Sequence, residues 1–178
     1  MTDMRLAVTG TPGTGKTTVA RALADELDAA YFDVTQEVRE GASSGYDEDR
    51  GVPVADTEAL CEAVPRKGVV IDGHIAHLLE PDAVVVLRCA PDVLRGRLGG
   101  RGWSDEKVRE NVESEALDIV LAEAIETEAS VFEFDTTEAT PDETVERVVR
   151  ALEDEDERLG VVDWSEYVGP EPKRGVRN

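Results

Sequence analysis

Lysine, aromatic residues and long apolar runs are scarce in this chain of 178 residues. Four of its 19 basic residues are lysines, and 40 acidic residues bring the formal net charge to −21 at pH 7. Broad, direct binding of nucleic acid needs a basic surface, so this balance argues against that class of function. Aromatic residues make up 4% of the chain and apolar residues 40%, which predicts a core mainly of valine, leucine and alanine.

Cysteine is also rare. Cys61 and Cys89 lie far apart among apolar neighbours, without the spacing of metal ligands, which predicts two buried, reduced thiols in a cytoplasmic protein. No apolar stretch approaches the ~18 residues of a transmembrane helix, so we expect no association with a membrane. The N-terminal residues lack the apolar segment of a signal peptide, and we expect none.

The acidic residues are spread along the whole chain. This distribution favours a surface adapted to concentrated salt, where screening weakens the repulsion between like charges. An acidic face that binds a basic partner is the alternative interpretation.

Residues 10–17 read Gly-Thr-Pro-Gly-Thr-Gly-Lys-Thr and match the phosphate-binding loop (P-loop) pattern G-x-x-x-x-G-K-[ST]. An apolar run at residues 6–8 precedes the motif, and apolar residues at helical spacing follow it, which is the strand–loop–helix context that the motif requires. A glycine turn that fits the pattern by chance is the alternative.

The motif assigns a role to each of its nucleotide-binding residues. Gly13 and Gly15 would let backbone N–H groups turn towards phosphate oxygens at a helix N-terminus. Lys16 would reach the β- and γ-phosphates, the hydroxyl of Thr17 would bind Mg²⁺, and Thr18 would lie beside the α-phosphate.

Five continuous apolar runs alternate with helical patterns, at residues 6–8, 30–34, 69–72, 83–87 and 131–134. Continuous runs of this length are typical of parallel strands buried on both faces. We therefore predict an α/β fold, a P-loop NTPase with a five-stranded parallel sheet and helices on both faces, in one domain over residues 1–178. Ligands bind beyond the carboxyl ends of such strands, where the P-loop and Asp72 fall.

The segments between the strands predict helices, loops and an irregular tail. Residues 41–53 are rich in glycine, serine and acidic residues and predict a loop. Residues 160–178 predict an irregular tail, partly docked through Trp164 and Tyr167. Helices are predicted at residues 35–39, at 56–64 capped by Asp56, at 91–98, from Ser104 through Val120 as one long helix, and from the capping box at Thr140.

Residues 71–74, Ile-Asp-Gly-His, end the third predicted strand. Asp72 could hold the water shell of Mg²⁺, as an acid in this place does in P-loop enzymes, or it could only cap the strand. His74 could orient a water or a substrate phosphate, because imidazole donates or accepts near neutral pH. His77 is interpreted as a residue on a helix face.

Arginines form the third candidate group. Arg97 and Arg101 flank Gly99 and Gly100, where a lid could close over a nucleotide and stabilise the charge of phosphoryl transfer. A solvated face that balances local acids is the alternative, and we favour it for Arg95. Arg39 could bind the phosphate of a second nucleotide or lie on the surface.

Five stretches together resemble the adenylate kinase isoenzyme 6-type proteins, atypical nucleoside monophosphate kinases that also serve as ribosome-assembly ATPases. Besides the P-loop, residues 45–48 (Gly-Tyr-Asp-Glu) look like the family's monophosphate-binding motif, and residues 70–74 look like its D-x-H motif. Residues 97–103 are similar to its lid, and Asn111 with Glu115 fits its E-N-x-x-x-E helix.

The resemblance implies Mg²⁺-dependent transfer of the γ-phosphoryl group from ATP to AMP or another nucleoside monophosphate, with ATP hydrolysis. It also implies transient binding to the small-subunit ribosomal protein uS11 and a role in late small-subunit maturation. Asp72 and His74 would serve the Mg²⁺–water site, and Arg101 would close on ATP. The monophosphate-binding region would span about residues 34–64 and a short lid about residues 98–110.

The chain departs from ordinary adenylate kinases after its third strand. Those enzymes follow Asp-Gly with an aromatic residue, proline and an arginine that holds AMP, whereas this chain has His74-Ile75-Ala76-His77. Two other functions therefore stay open: a nucleotide-switched ribosome-assembly ATPase, and a small-molecule kinase with a non-nucleotide acceptor.

The acidity of the chain yields a first prediction. Activity and thermal stability are expected to rise from dilute buffer to molar KCl, because salt screens the repulsion among the excess carboxylates. Thermal unfolding and activity assays over a KCl series measure this directly. Full stability and activity in dilute buffer would contradict the adaptation to salt.

Overall fold

A computed structural model describes residues 3–47 and 52–167 of the protein. Its central sheet has five parallel strands, as predicted, and two further strands form a separate antiparallel hairpin. The strands are β1 (Arg5–Thr9), β2 (Ala30–Asp33), β3 (Ser43–Asp47), β4 (Val52–Ala55), β5 (Val69–Asp72), β6 (Ala83–Arg88) and β7 (Ser130–Asp135). The order across the central sheet is β2-β5-β1-β6-β7.

Helices follow most strands. They are α1 (Lys16–Glu26), α2 (Val34–Glu40), α3 (Thr57–Ala63), α4 (Pro91–Gly99), α5 (Asp105–Ala116), α6 (Ile119–Ile125) and α7 (Pro141–Asp154), with short 3₁₀ turns at Ala76–Leu78 and Ser165–Tyr167. The three predicted caps are confirmed. Asp56 and Ser104 each accept a backbone N–H of the first turn, and Thr140 forms the full capping box with Glu143.

Apolar side chains fill both faces of the sheet, because parallel strands bury both their faces. One layer packs α1 and α7 on the sheet, through residues such as Leu23 and Val148. The other packs α3 and α6 on the opposite face, through Leu60 and Leu121. A smaller apolar cluster joins α4 and α5 and includes Leu94, Leu98 and Val112.

The strand register decides which residues meet at the carboxyl edge of the sheet. Val8 of β1 pairs with Asp72 of β5, and Asp72 also pairs with Asp33 of β2. Because β1 leads directly into the P-loop, this register places Asp72 beside the start of that loop.

The prediction of a loop at residues 41–53 is wrong. Residues 43–47 pair with residues 52–55 as an antiparallel hairpin, whose base is closed by a hydrogen bond from Asp56 N to Ala42 O of 3.1 Å. Two serines, a glycine and an aspartate make up most of β3, so the segment has a weak strand signal, and the hairpin depends on its backbone pairing with β4. Residues 48–51 of the expected loop lie outside the described residues.

The long helix predicted from Ser104 through Val120 is interrupted. Asp118 has a left-handed backbone with φ of 56°, so α5 ends at Ala116 and α6 begins in a new direction at Ile119. The carboxylate of Asp118 pairs with the buried Arg88 guanidinium, a tertiary contact that helical periodicity does not reveal. Ile119 is therefore exposed instead of continuing the apolar face.

The two cysteines differ in their exposure. Cys89 is buried, but Cys61 is partly exposed because α3 is short and lies at the surface. The described part of the tail is largely exposed and contacts the fold at a few points: Val161 N–H donates to Glu133 at 2.8 Å, and Tyr167 Oη lies 3.3 Å from an Asp92 carboxylate oxygen. The basic residues Lys173, Arg174 and Arg177 lie outside the described part of the chain. Among the described residues, no helix is long and apolar enough to cross a membrane.

The core layer under α1 yields a stability prediction. Leu23 is fully buried between α1 and the sheet, so Leu23→Ala is expected to cost about 2–5 kcal/mol of unfolding free energy. Leu117 is 52% exposed and serves as the matched control, since Leu117→Ala should change stability by less than about 0.5 kcal/mol. Denaturant unfolding in molar KCl measures both, and equal losses would contradict the assigned core.

Candidate active site

The P-loop packs closely against β6 and α4. A Cβ on Gly10 would lie 2.4 Å from the carbonyl oxygen of Leu87, which leaves no room for a side chain. Gly13 has φ of 97°, and a Cβ there would lie 2.8 Å from Leu94 Cδ1. Gly15 precedes α1 as its N-cap. The loop thus presents its backbone at the N-terminus of α1, the arrangement suited to phosphate.

Lys16 is the first residue of α1 and folds back onto the loop. Its Nζ donates to the carbonyl oxygen of Thr11 at 3.1 Å. Burial, with a smaller contribution from the positive charge of Arg101, lowers the pKa of Lys16 to about 8, while the charges of Asp72 and Glu115 oppose the shift. Asp72, Arg101 and Glu115 therefore all lie close enough to influence the Lys16 ammonium.

Thr17 and Thr18 are exposed in the first turn of α1, as a role at a bound phosphate requires. Asp72 is buried, and one of its carboxylate oxygens accepts a hydrogen bond from the Tyr31 hydroxyl at 2.7 Å. Burial and the Asp72 carboxylate raise the pKa of Tyr31, which keeps this phenol a donor. Asp72 is thus a fixed carboxylate whose other oxygen is available to a second partner.

His74 and His77 are joined through one threonine. Thr9, the last residue of β1, donates its hydroxyl proton to the His74 carbonyl oxygen at 2.9 Å, and its Oγ1 lies 3.3 Å from His77 Nδ1. His74 is exposed as a residue, but partial burial of its ring and the charge of Lys16 lower its pKa, which favours the neutral form. His77 lies on a 3₁₀ turn, but its side chain is buried, with Nε2 3.4 Å from Glu123.

Of the candidate arginines, two lie at the loop. Arg97 donates to the carbonyl oxygens of Gly13 at 3.4 Å and of Thr136 and Thr137 at 3.0 and 3.2 Å. Arg101 is exposed just beyond α4. Arg39 is exposed in the last turn of α2 and, within the described residues, forms no hydrogen bond or ion pair with another candidate residue.

Sequence reasoning missed the loop that follows β7. Thr136 and Ala139 form one wall of a cavity of about 210 Å³ beside the P-loop, with Arg97 on another side. The signal was available, because a loop after the fifth parallel strand must reach the same edge of the sheet. A groove of about 470 Å³ between α1 and α7 is larger, but acidic side chains dominate its charge.

Sequence reasoning also missed a buried ion cluster behind the P-loop. Arg88, the last residue of β6, donates to Glu115 at 2.8 Å and to Glu133 at 2.6 Å, and it also pairs with Asp118. A single arginine at the end of an apolar strand gives no sequence signal for such partners. Glu115 was expected only through the family resemblance, and without a role.

Comparison of the chain with known proteins identifies its family. The family model described as AAA domain matches residues 6–118. A protein of Methanocaldococcus jannaschii named "Putative adenylate kinase" is 40% identical over 169 residues, covering 92% of this chain and 94% of the relative. A Halobacterium salinarum protein of the same name is 44% identical over 170 residues, covering 93% and 100%.

Solved structures agree on the fold. Shikimate kinase from Acinetobacter baumannii has a TM-score of 0.64 at 16% identity, covering 87% of this chain and 96% of that one. The YorR protein of Bacillus subtilis, in complex with phosphorylated GDP, has a TM-score of 0.61 at 20% identity, covering 85% and 96%. With its P-loop, its parallel sheet and these relatives, the chain belongs to the adenylate kinase-like family of P-loop kinases that the archaeal proteins named "Putative adenylate kinase" represent.

Proposed function

We propose that the protein is a Mg²⁺-dependent nucleoside monophosphate kinase that transfers the γ-phosphoryl group of ATP to AMP or another monophosphate, with an accompanying ATPase activity. The observation that carries the proposal is the grouping of the P-loop and Lys16 with Asp72 and Arg101 at one edge of the sheet. Names of the archaeal relatives support the same activity.

The chain's own residues would divide the work of binding ATP. Backbone N–H groups around Gly13 and Gly15 bind phosphate oxygens, and Lys16 exchanges the Thr11 carbonyl for the β- and γ-phosphates. Thr18 lies beside the α-phosphate. The cavity between Arg97, Thr136 and Ala139 receives the base, because it opens directly beside the loop.

The donor set fits Mg²⁺. Thr17 offers a hydroxyl and Asp72 a carboxylate, the hard oxygen ligands that Mg²⁺ prefers alongside water and phosphate oxygens. Asp72 would act mainly through water, since Tyr31 already occupies one of its oxygens. When bound, the ion neutralises charge on the transferring phosphoryl group. The neutral His74 ring would orient a water or a phosphate beside it.

The whole chain would act as one P-loop kinase domain. The acceptor would bind on the side of the P-loop opposite the cavity proposed for the base of ATP. The region at about residues 34–64 comprises α2, the hairpin and α3, and Arg39 in α2 would bind the monophosphate. The short lid at about residues 98–110 carries Arg101, which would close on ATP and stabilise the charge of the transition state.

A second candidate function is a nucleotide-switched ribosome-assembly ATPase in the cytoplasm that binds the basic ribosomal protein uS11 transiently. Ala76 stands where ordinary adenylate kinases carry an AMP-binding arginine, two residues after His74, and this favours the second function because one acceptor contact is missing. The acidic surface also suits a basic partner. A kinase with a non-nucleotide acceptor is the third candidate, and an acceptor screen separates it from the first.

The kinase assignment is tested by product balance. Purified protein with Mg²⁺-ATP in molar KCl is expected to form ADP faster when AMP is added, with no extra free phosphate. Phosphate release at the same rate with and without AMP would move the assembly ATPase to first place, and retention of uS11 that depends on ATP would support it.

Two arginine variants from the same region of the chain test the proposed role of Arg101. Arg101→Ala is expected to lower kcat by about 10²-fold, because a positive charge aimed at the transferring phosphoryl group is lost. Arg95→Ala is the control, since Arg95 is exposed on α4 and has no proposed role. Equal rates for the two variants would contradict the role of Arg101.

The pKa of Lys16 yields a separate prediction. Because that pKa is about 8 in the nucleotide-free protein, part of the lysine is neutral at pH 8, and bound phosphate favours its charged form. ATP binding at pH 8 should therefore take up protons, and ATP affinity should fall as the pH rises above 8. Calorimetry in buffers of different ionisation enthalpy measures the uptake. Lys16→Met should abolish it, and equal uptake by that variant would contradict the assignment.

A further inference from the structure

The second residue of the P-loop is held by a helix distant in sequence. The Thr11 hydroxyl donates to Glu115 Oε2 of α5 at 2.6 Å, and both side chains are buried, with 1% and 2% exposure. A hydrogen bond to a charged group is stronger than a neutral one, and losing either partner leaves a buried polar group unsatisfied. The contact therefore fixes one side of the loop.

Glu115 is itself fixed on its other oxygen. Its Oε1 accepts from Arg88 Nε at 2.8 Å and from the Cys89 backbone N–H at 3.0 Å, and Arg88 also donates to the Glu115 carbonyl oxygen at 3.1 Å. A carboxylate beneath an anion-binding loop would repel phosphate, and the Arg88 guanidinium supplies the opposing charge. Both oxygens of Glu115 thus have partners, and only one of them faces the loop.

The carbonyl oxygen of Thr11 accepts several of the hydrogen bonds that shape the loop. It accepts from Lys16 Nζ at 3.1 Å, from the Thr14 hydroxyl at 2.9 Å and from the Thr14 N–H at 3.3 Å. Thr11 therefore binds both residues: its hydroxyl donates to Glu115, and its carbonyl oxygen accepts from Lys16. Moving Thr11 would move the lysine and the turn of the loop together.

We propose that Glu115 is a positioning residue for nucleotide binding, which acts through the Thr11 hydroxyl to hold the P-loop in its phosphate-binding shape, with Arg88 as its counter-charge. The inference rests on the proposed function for the identity of the nucleotide, ATP. Since α5 begins within the proposed lid region and extends beyond it, the same contact also ties the P-loop to the helix that carries the end of the lid.

Thr11→Val tests the contact, because valine keeps the shape of threonine and removes the hydroxyl. The KM for ATP is expected to rise about tenfold with kcat changed less than about threefold, in line with the loss of one charge-assisted hydrogen bond. Thr11→Ser restores the donor and should return the KM to within about twofold of wild type. Glu115→Gln is the second test: the amide oxygen can still accept from Arg88 Nε and the Cys89 N–H, whereas the NH2 group that faces Thr11 cannot accept from its hydroxyl, so the KM should also rise.

Asp118→Asn is the matched control. It removes another carboxylate from Arg88 but has no contact with Thr11, and asparagine tolerates the left-handed backbone at this position. This variant should lower the melting temperature without raising the KM for ATP. A KM that rises equally in Asp118→Asn and Thr11→Val would show a general loss of structure and overturn the inference.

Hydrogen exchange of the nucleotide-free protein separates this inference from the proposed function. The backbone amides of residues 10–16 other than Pro12 should exchange faster in Thr11→Val and Glu115→Gln than in wild type, and at the wild-type rate in Thr11→Ser and Asp118→Asn. Unchanged exchange in the first two variants would overturn the positioning role. Absence of ATP binding by wild type would instead refute the proposed function, while the exchange data would still decide whether Glu115 holds the loop.

Discussion

The parallel pairing of β1 with β5 and β6 is the constraint on which the candidate site depends. Parallel strands point all their carboxyl ends to one edge, so the residues that follow them converge whatever their separation in sequence. The pairing of Val8 with Asp72 places the Asp72 carboxylate beside the P-loop. The pairing of Thr9 with Val86 places Arg88, two residues further along β6, behind that loop. A shift of one residue would turn each of these side chains to the opposite face of the sheet.

Charge is arranged in opposite ways at the site and over the rest of the molecule. The chain carries a net charge of −21, yet Lys16, Arg97 and Arg101 gather at the P-loop, the site at which we propose that phosphate binds. Of the acids nearest that loop, Glu115 is paired with the Arg88 guanidinium, and Asp72 is oriented by the hydroxyl of Tyr31, a neutral donor. The buried acids Asp72 and Glu115 thus form contacts within the site, whereas most of the excess acids lie on the surface.

Buried polar contacts, more than apolar ones, distinguish this fold from a generic P-loop sheet. Arg88 ties together β6, β7 and the junction of α5 with α6, and the second oxygen of Glu133 accepts the Val161 N–H of the tail. Breaking a buried ion pair by removing one partner is costly, since the other is left without compensation. The cluster therefore fixes how α5 and the tail meet the sheet, and it borders the P-loop through Thr11.

The sequence by itself determined the P-loop, the five strands and three helix caps, because each rests on local signals: a fixed motif, continuous apolar runs and short capping patterns. It also indicated Asp72 and the arginines near the lid, since position at a strand or helix end is a local property. Only the tertiary structure decided the hairpin at β3 and β4, the break at Asp118, the burial of His77 and the partners of Arg88. These features depend on contacts between residues far apart in sequence, and such contacts leave no periodic or compositional trace in the segments that make them.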